Sequence, residues 1–419
     1  MINFIKIAWR NLSRNKMRSC ISILAIAVVV MIVIFSRGLI EGFSDSSYEQ
    51  YINNYMGHVK ILNEEYRHRE ALMTLEYTID GFEGEGLQRM LAEINELEEV
   101  NYVLPRLQFG ALFGSGDELV HMVGVGIDPI AEKNGVLPED VTRGRMPEAG
   151  NEILVGKGLL ADLDVEVGER VTLMFSNALQ SLQARTFEVV GMRESGTAAL
   201  DDTLFFLPLE TAQNILHLED QATGIMVFAE NRNQANKLEE SLTELLAEKD
   251  TEEKYLALHW ARADAFLELF KELEVLWDFV YAGFILLGSI VVISSLTMII
   301  RDRKSEIGMM SALGLKGRDI MKIFTLEGFF MGLIGSATGV IGGGFLNHYL
   351  AREGIHVEEY AQLIEGSDFL IDSAFYPVFN IENLVVSFLF GVVIVTLSCL
   401  YPARKAAKME PVEALHDEN

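Results

Sequence analysis

Four stretches of the chain carry no charge at all: residues 20–36, 279–300, 328–346 and 384–401. Each is of a length to cross a bilayer as a helix, which takes roughly 17–25 mostly apolar residues. Between the first two lies a region of different pattern. Residues 57–62, 120–127, 170–175, 185–192 and 224–229 are short runs rich in β-branched and aromatic residues, bounded by Gly, Asn and Asp, and they predict strands. Residues 87–99, 209–218 and 234–248 repeat apolar positions every three or four residues, which predicts amphipathic helices. The fold class expected is an α-helical membrane protein with four spans and a large α+β extracytoplasmic domain between spans 1 and 2. The order of elements predicts two parts in that domain: an α/β part made from both ends, and a β-rich part over about 105–205. Residues 44–54 and 261–277 are expected to prolong spans 1 and 2 as stalks.

Charge gives the spans a direction. Lys6, Arg10, Arg14, Lys16 and Arg18 precede span 1, six basic residues from Arg301 to Lys322 separate spans 2 and 3, and Arg404, Lys405 and Lys408 follow span 4. The loop after span 3 has Arg352 against several acids. Basic loops stay on the cytoplasmic side, so both termini are expected there and the insert on the other side. The expected division is an amphipathic cytoplasmic helix at 1–18, span 1 with its stalk at 19–41, the outer domain at 42–274 and span 2 at 275–300. A cytoplasmic loop at 301–322, span 3 at 323–347, an outer loop at 348–381, span 4 at 382–402 and a cytoplasmic tail at 403–419 complete it. In the first helix Ile2, Ile5, Trp9 and Leu12 share one face, as in a helix lying on a membrane surface. No A-x-A-like cleavage site follows the first apolar run, so it is expected to be an uncleaved span.

Composition narrows the function. The 419 residues are half hydrophobic with a net charge of −27, which argues against a nucleic-acid partner. The two cysteines, Cys20 and Cys399, both lie in apolar runs, so no disulfide is expected in the insert. His58, His68, His121, His217 and His259 lack metal-ligand spacing, and no metal site is expected. Neither a G-x-S-x-G nor an H-E-x-x-H string occurs, so the chain is expected to be a non-catalytic subunit. "EILVGKGLL" lacks the first glycine and the hydroxyl residue of a phosphate-binding loop. ATP and its magnesium, if used, belong to another chain. Ionisable residues stand only at span ends, at Arg37, Asp278 and Glu327, which disfavours an ion channel or proton-coupled carrier.

Two features remain. Gly328, Gly332, Gly335, Gly339 and Gly343 share one face of span 3, a seam for close helix packing within a subunit or across a dimer. "RDRKSEIGMMSALGLKGRDIM", residues 301–321, interrupts two apolar runs. Glu306 to Leu313 predicts a short helix closed by Gly314. Gly308 and Ala312 clear a low surface, and Met309, Met310 and Leu313 are apolar for a free loop. A docking helix and a helix lying flat in lipid headgroups both fit.

The same segment, continuing to "EGFFMGLIGSATGVIGG", resembles the signature of FtsX-like (MacB-type) ABC transporter permeases, at Glu306, Ile307, Gly308, Ala312, Leu313, Gly314, Glu327 and Gly328. The tail "YPARKAAKMEPVEAL" and the start "AWRNLSRNKMRS" resemble that family's ends. "GHVKI", "VTRGRMPEAGNEILVGKGLL", "VEVGERVTL", "FEVVGM" and "FFLPLETAQNIL" are similar to the outer domain of its lipoprotein-releasing branch. The resemblance implies a permease of the bacterial inner membrane, with the outer domain at 42–274 and the loop at 348–381 in the periplasm and a coupling helix in the 301–322 loop. It implies pairing with a second permease, identical or paralogous. It implies a cytoplasmic ABC ATPase docked on residues 306–310 and 312–314, and ATP-driven motion passed along the stalks to the outer domain. It also implies a lipoprotein cargo handed to a periplasmic carrier. Acyl chains would enter between the outer ends of spans 1 and 2, at Ile34, Phe35, Leu39, Ile40, Phe43, Phe270, Leu273, Leu276 and Trp277; stalk packing explains the same residues. Efflux of amphiphiles or peptides, and control of a cell-wall hydrolase, are the alternatives within the family.

Overall fold

The computed structural model describes residues 2–14, 16–115, 118–195, 198–250, 252–262, 265–356 and 374–408. These form two compact units, one helical and one built on residues 46–269. The chain opens with helix α1 (Ile2–Arg14) and runs into α2 (Lys16–Tyr51). The last turn widens into a π-helix over Ile52–Met56, closed by the Gly57 N–H on the Ile52 carbonyl at 2.7 Å. Gly57 sits at φ +64°, a backbone state that glycine adopts without a Cβ penalty.

The insert is a single mixed sheet. Its strands are β1 (Val59–Asn63), β2 (Tyr102–Ser115), β3 (Glu118–Ile127), β4 (Val141–Gly144) and β5 (Glu152–Gly156), then β6 (Arg170–Ser176), β7 (Leu182–Arg193), β8 (Leu204–Pro208), β9 (Gly224–Phe228) and β10 (Tyr255–His259). They lie in the order β10-β1-β9-β2-β3-β8-β5-β7-β4, with β6 pairing both β2 and β7. Helices α3 (Leu87–Asn95), α4 (Lys157–Leu163), α5 (Leu209–Leu216) and α6 (Ala235–Lys249) present buried apolar faces. The expected two-part division is not reproduced as two cores. One hydrophobic cluster takes in Val59 and Leu238 from the ends together with Ile153, Phe175 and Val189 from the middle. The cause is β2. It pairs with β9 from Tyr102 to Arg106 and with β3 from Arg106 to Ser115, so one strand welds both halves into a continuous ladder.

The helical unit resumes with α7 (Ala265–Asp302), α8 (Lys304–Ala312), α9 (Gly317–Glu353) and α10 (Ile381–Ala407). A short ribbon pairs β11 (Ile355–His356) with β12 (Ala374–Phe375). Helices α2, α7, α9 and α10 each contain a stretch long and apolar enough to cross a membrane. Their shared core holds Ile26, Val30 and Ile34 of α2, Val292, Leu296 and Ile299 of α7, Met331 of α9, and Val395 and Cys399 of α10. Hydroxyls within these helices fold back on their own backbones: Ser289 donates to the Ile285 carbonyl at 2.9 Å, and Thr338 to Ile334 at 2.8 Å. Such groups would otherwise be unpaired in hydrocarbon, at a cost of several kcal/mol each.

Candidate functional site

At one end of the bundle the turn between α7 and α9 is held by a buried polar cluster. Asn11 of α1 donates its amide to Glu327 Oε1 of α9 at 2.6 Å. Arg303, just before α8, places a guanidinium nitrogen 3.8 Å from the same carboxylate and donates to the Asn11 carbonyl at 3.4 Å. Arg303 and Glu327 are both buried. A buried charge left without its partner costs about 3–5 kcal/mol, so the three groups fix α1, α8 and α9 together. Two ion pairs flank the cluster, Arg14 with Glu306 and Arg18 with Asp302. Sequence reading missed Asn11 and Arg303; the visible signal was Glu327, a lone acid beside an uncharged run.

This anchoring sorts the expected docking residues into two faces. Ile307 and Gly308 point inward, and Ile307 packs with Ile300, Ile320, Phe324, Ala403 and Ala406. Met310 is half-buried on the same cluster, and Glu306 is turned to Arg14. Met309, Ala312, Leu313 and Gly314 remain outside, with Met309 51% and Leu313 84% exposed. Gly314, at φ +95°, reverses the chain so that the Leu315 N–H meets the Met310 carbonyl at 3.1 Å. That closure stops the helix while Leu315 packs back on the cluster, as in a Schellman cap. Of the eight residues expected to dock, four face out and the others hold the helix to the bundle.

The glycine seam packs against two helices of the same chain. A Cβ at Gly335 would lie 2.7 Å from the Ile26 Cβ, and one at Gly339 would lie 2.6 Å from the Ala27 carbonyl, both on α2. Gly343 meets Ile34 of α2 at 3.0 Å by the same measure. Gly332 faces Val395 of α10 at 3.2 Å, and Gly328 abuts Cys399 of α10. As α9 rises through the bundle its small face passes from α10 to α2.

At the opposite end, the expected lipid-facing set also divides. Ile34 is 2% exposed, facing Gly343 in the core, and is thereby removed from any open surface. Phe35, Leu39, Ile40 and Phe43 are half-buried, and Ile40 packs against Val33, Tyr281 and Ile285. Leu276 and Trp277 are exposed, and the indole stacks on the Tyr281 ring at 6.4 Å. Phe270 and Leu273 fall on α7, but their side chains lie outside the described residues. Among the described residues no group of three or more His, Cys, Asp or Glu side chains is placed to hold a metal.

Four apolar helices with a large mixed α/β insert between the first two define a four-span membrane subunit. Residues 19–245 match the family model of the MacB-like periplasmic core domain, and residues 279–411 that of the FtsX-like permease C-terminal region. The chain belongs to this FtsX-like, MacB-type family of ABC transporter permeases. It is 28% identical over 280 residues to the lipoprotein-releasing system transmembrane protein LolC of Xylella fastidiosa, covering 64% of this chain and 65% of that one, under two thirds of the relative's length. It is 24% identical over 410 residues to LolE, of the same name, from Haemophilus influenzae, covering 94% of this chain and 93% of that one. To the macrolide export ATP-binding/permease protein MacB of Nitrosomonas europaea it is 26% identical over 238 residues, 55% of this chain and 33% of the relative. Permeases of this family are inner-membrane components of ABC transporters.

Proposed function

We propose that this chain is the membrane subunit of an ABC-type lipoprotein-releasing system, driven by a separate cytoplasmic ATPase that docks on the outward face of α8. The observation that carries the docking is the pairing of exposed Met309 and Leu313 with an inward Ile307 that is fully buried. An apolar patch on a helix anchored from behind is a surface suited to receive a partner. The basic flanks of α1 and α8 support a cytoplasmic position for that end and a periplasmic one for the insert. The LolC and LolE likeness supports lipoprotein as cargo; a second permease and a periplasmic carrier complete the proposed system. The stalks α2 and α7 would carry ATP-driven motion to the insert.

Leu313→Glu and Met309→Glu place a charge on the docking patch and are expected to weaken ATPase assembly at least tenfold, the loss of about 1.4 kcal/mol. Glu306→Lys, which opposes Arg14, is expected to weaken it less. Copurification of the full chain with its ABC ATPase reads this out, and unchanged assembly of both glutamate variants sinks the docking. The MacB likeness favours a second reading, efflux of amphiphiles. A bound triacylated lipoprotein supports the first reading, and a copurified outer-membrane duct the second.

A further inference from the structure

The end of the bundle opposite α8 holds a cleft of about 190 Å³ between α2, α7 and α10. Its rim is a pair of opposite charges, Arg37 and Asp278, with 3.7 Å between nitrogen and oxygen. That distance is too long for a hydrogen bond. The guanidinium has five N–H donors, and Asp278 is the partner it has among the described residues. The Arg37 side chain is 31% exposed and the Asp278 side chain 65%, so both stay open to a ligand. Below the charges come two hydroxyl residues, Tyr281 and Ser387. Ser387 is 3% exposed, and its Oγ has no hydrogen-bond partner. Burying a hydroxyl unpaired costs roughly 1–3 kcal/mol, so this donor is prepared for an acceptor the protein does not supply. Deeper still the wall is Val33, Ile285 and Phe390.

The charges also stand at a defined depth. Arg37 directly follows the uncharged run of α2, and Asp278 directly precedes that of α7. Trp277 and Tyr281 stack beside them, the aromatic signature of a membrane interface. Reading inward from the interface, the cleft presents opposite charges, then hydroxyls, then hydrocarbon.

We propose that this cleft binds one glycerophospholipid with a zwitterionic head. Arg37 takes the phosphate, Asp278 the ammonium, the Ser387 hydroxyl an ester carbonyl, and the apolar wall the first few carbons of one acyl chain. A bare anion fits worse, because Asp278 repels what Arg37 attracts. The lipid of a triacylated lipoprotein is also a glycerol ester, but its N-acylated head has no charge to match the pair. This site rests only on α2, α7 and α10 lying in a bilayer. It shares neither residues nor readout with the ATPase docking on α8, so either can fail alone.

The test uses the full chain in nanodiscs of equal phosphatidylethanolamine and phosphatidylglycerol, followed by native mass spectrometry of the lipid retained. One phosphatidylethanolamine per chain is expected, preferred by about fivefold, the upper end for a partly exposed charge contact. Asp278→Asn should turn that preference toward phosphatidylglycerol, and Arg37→Gln should lose it. Ala282→Phe, which fills the cleft while keeping both charged residues, should lose the retained lipid. Should that variant fail to fold, Asp278→Asn alone decides. Equal retention of both lipids by the unaltered chain, or an unmoved preference in Asp278→Asn, overturns the proposal. So does a synthetic triacylated lipopeptide that displaces the phospholipid, which would assign the cleft to cargo.

Discussion

The two units solve the same packing problem with opposite materials. The insert fills its interior with large side chains. Phe109 meets Phe175 and Phe205 edge-on at 5.7 and 5.9 Å, and Leu87, Met90, Ile94, Leu238 and Leu242 are all buried. The helical unit removes side chains instead, so that α9 lies against α2 and α10 through glycine. The difference follows from the surroundings. In water, burying a Phe or Leu gains about 1.5–3 kcal/mol. In lipid that gain vanishes, and close backbone approach supplies the attraction. The insert should therefore be hurt most by losing volume, and the bundle by gaining it.

The largest expected effect is in the insert. Phe109→Ala removes the ring shared by two aromatic neighbours and should cost about 3–5 kcal/mol, read as a lowered unfolding temperature of the insert in the detergent-solubilised chain. A change below about 1 kcal/mol would mean that the core collapses around the gap. Next comes the reverse experiment. Gly339→Leu puts a side chain where the Val30 Cβ would already be 2.8 Å from a Cβ, and overpacking of this kind costs about 1–3 kcal/mol. It should lower the unfolding temperature of the bundle and leave that of the insert in place. If Gly339→Leu is silent, the glycine face is mere tolerance and the contrast between the units fails.

The same contrast explains what could be read from the sequence. The four spans were legible because hydropathy in a bilayer is a one-dimensional signal. Strands β1, β3, β6, β7 and β9 were legible from β-branched runs with clear punctuation. Strands β5, "EILVG", and β8, "LFFLP", were not: each runs straight into a helix, at Lys157 and Leu209, with no loop to set it apart. Strand β2 hid behind Pro105, a residue that argues against a strand interior, and with it went the single sheet. Among the site residues, the short helix and its glycine stop were readable. Which of its faces points outward was not, since that depends on Asn11 and Arg303 meeting Glu327, three residues far apart in sequence.

The smallest expected effect concerns single buried titratable groups, which the described insert keeps in its interior. His58 Nδ1 accepts the Ala229 N–H at 3.0 Å. Burial first, then Arg232 and His259, push its imidazole down to about 4. The folded insert thus holds His58 neutral, while the unfolded chain takes up the proton below its ordinary value of about 6.5. Its contribution is present above that pH and lost as pH falls toward 4. Asp201 runs the other way. Burial pushes its carboxyl up to about 6, against the lowering effect of the Ser195 N–H it accepts at 3.0 Å. The folded state holds this proton more tightly than the unfolded one, so stability falls as pH rises from about 3.8 to 6. The two slopes oppose each other between about pH 4 and 6 and should nearly cancel there. Removing either uncovers the other. Asp201→Asn should make the insert lose on the order of 2 kcal/mol on acidification through that window. His58→Gln, which keeps an acceptor for Ala229, should make it gain stability instead. Unfolding temperatures of the insert from pH 4 to 7 decide the matter, and parallel profiles for the two variants would show that neither group titrates as its surroundings dictate.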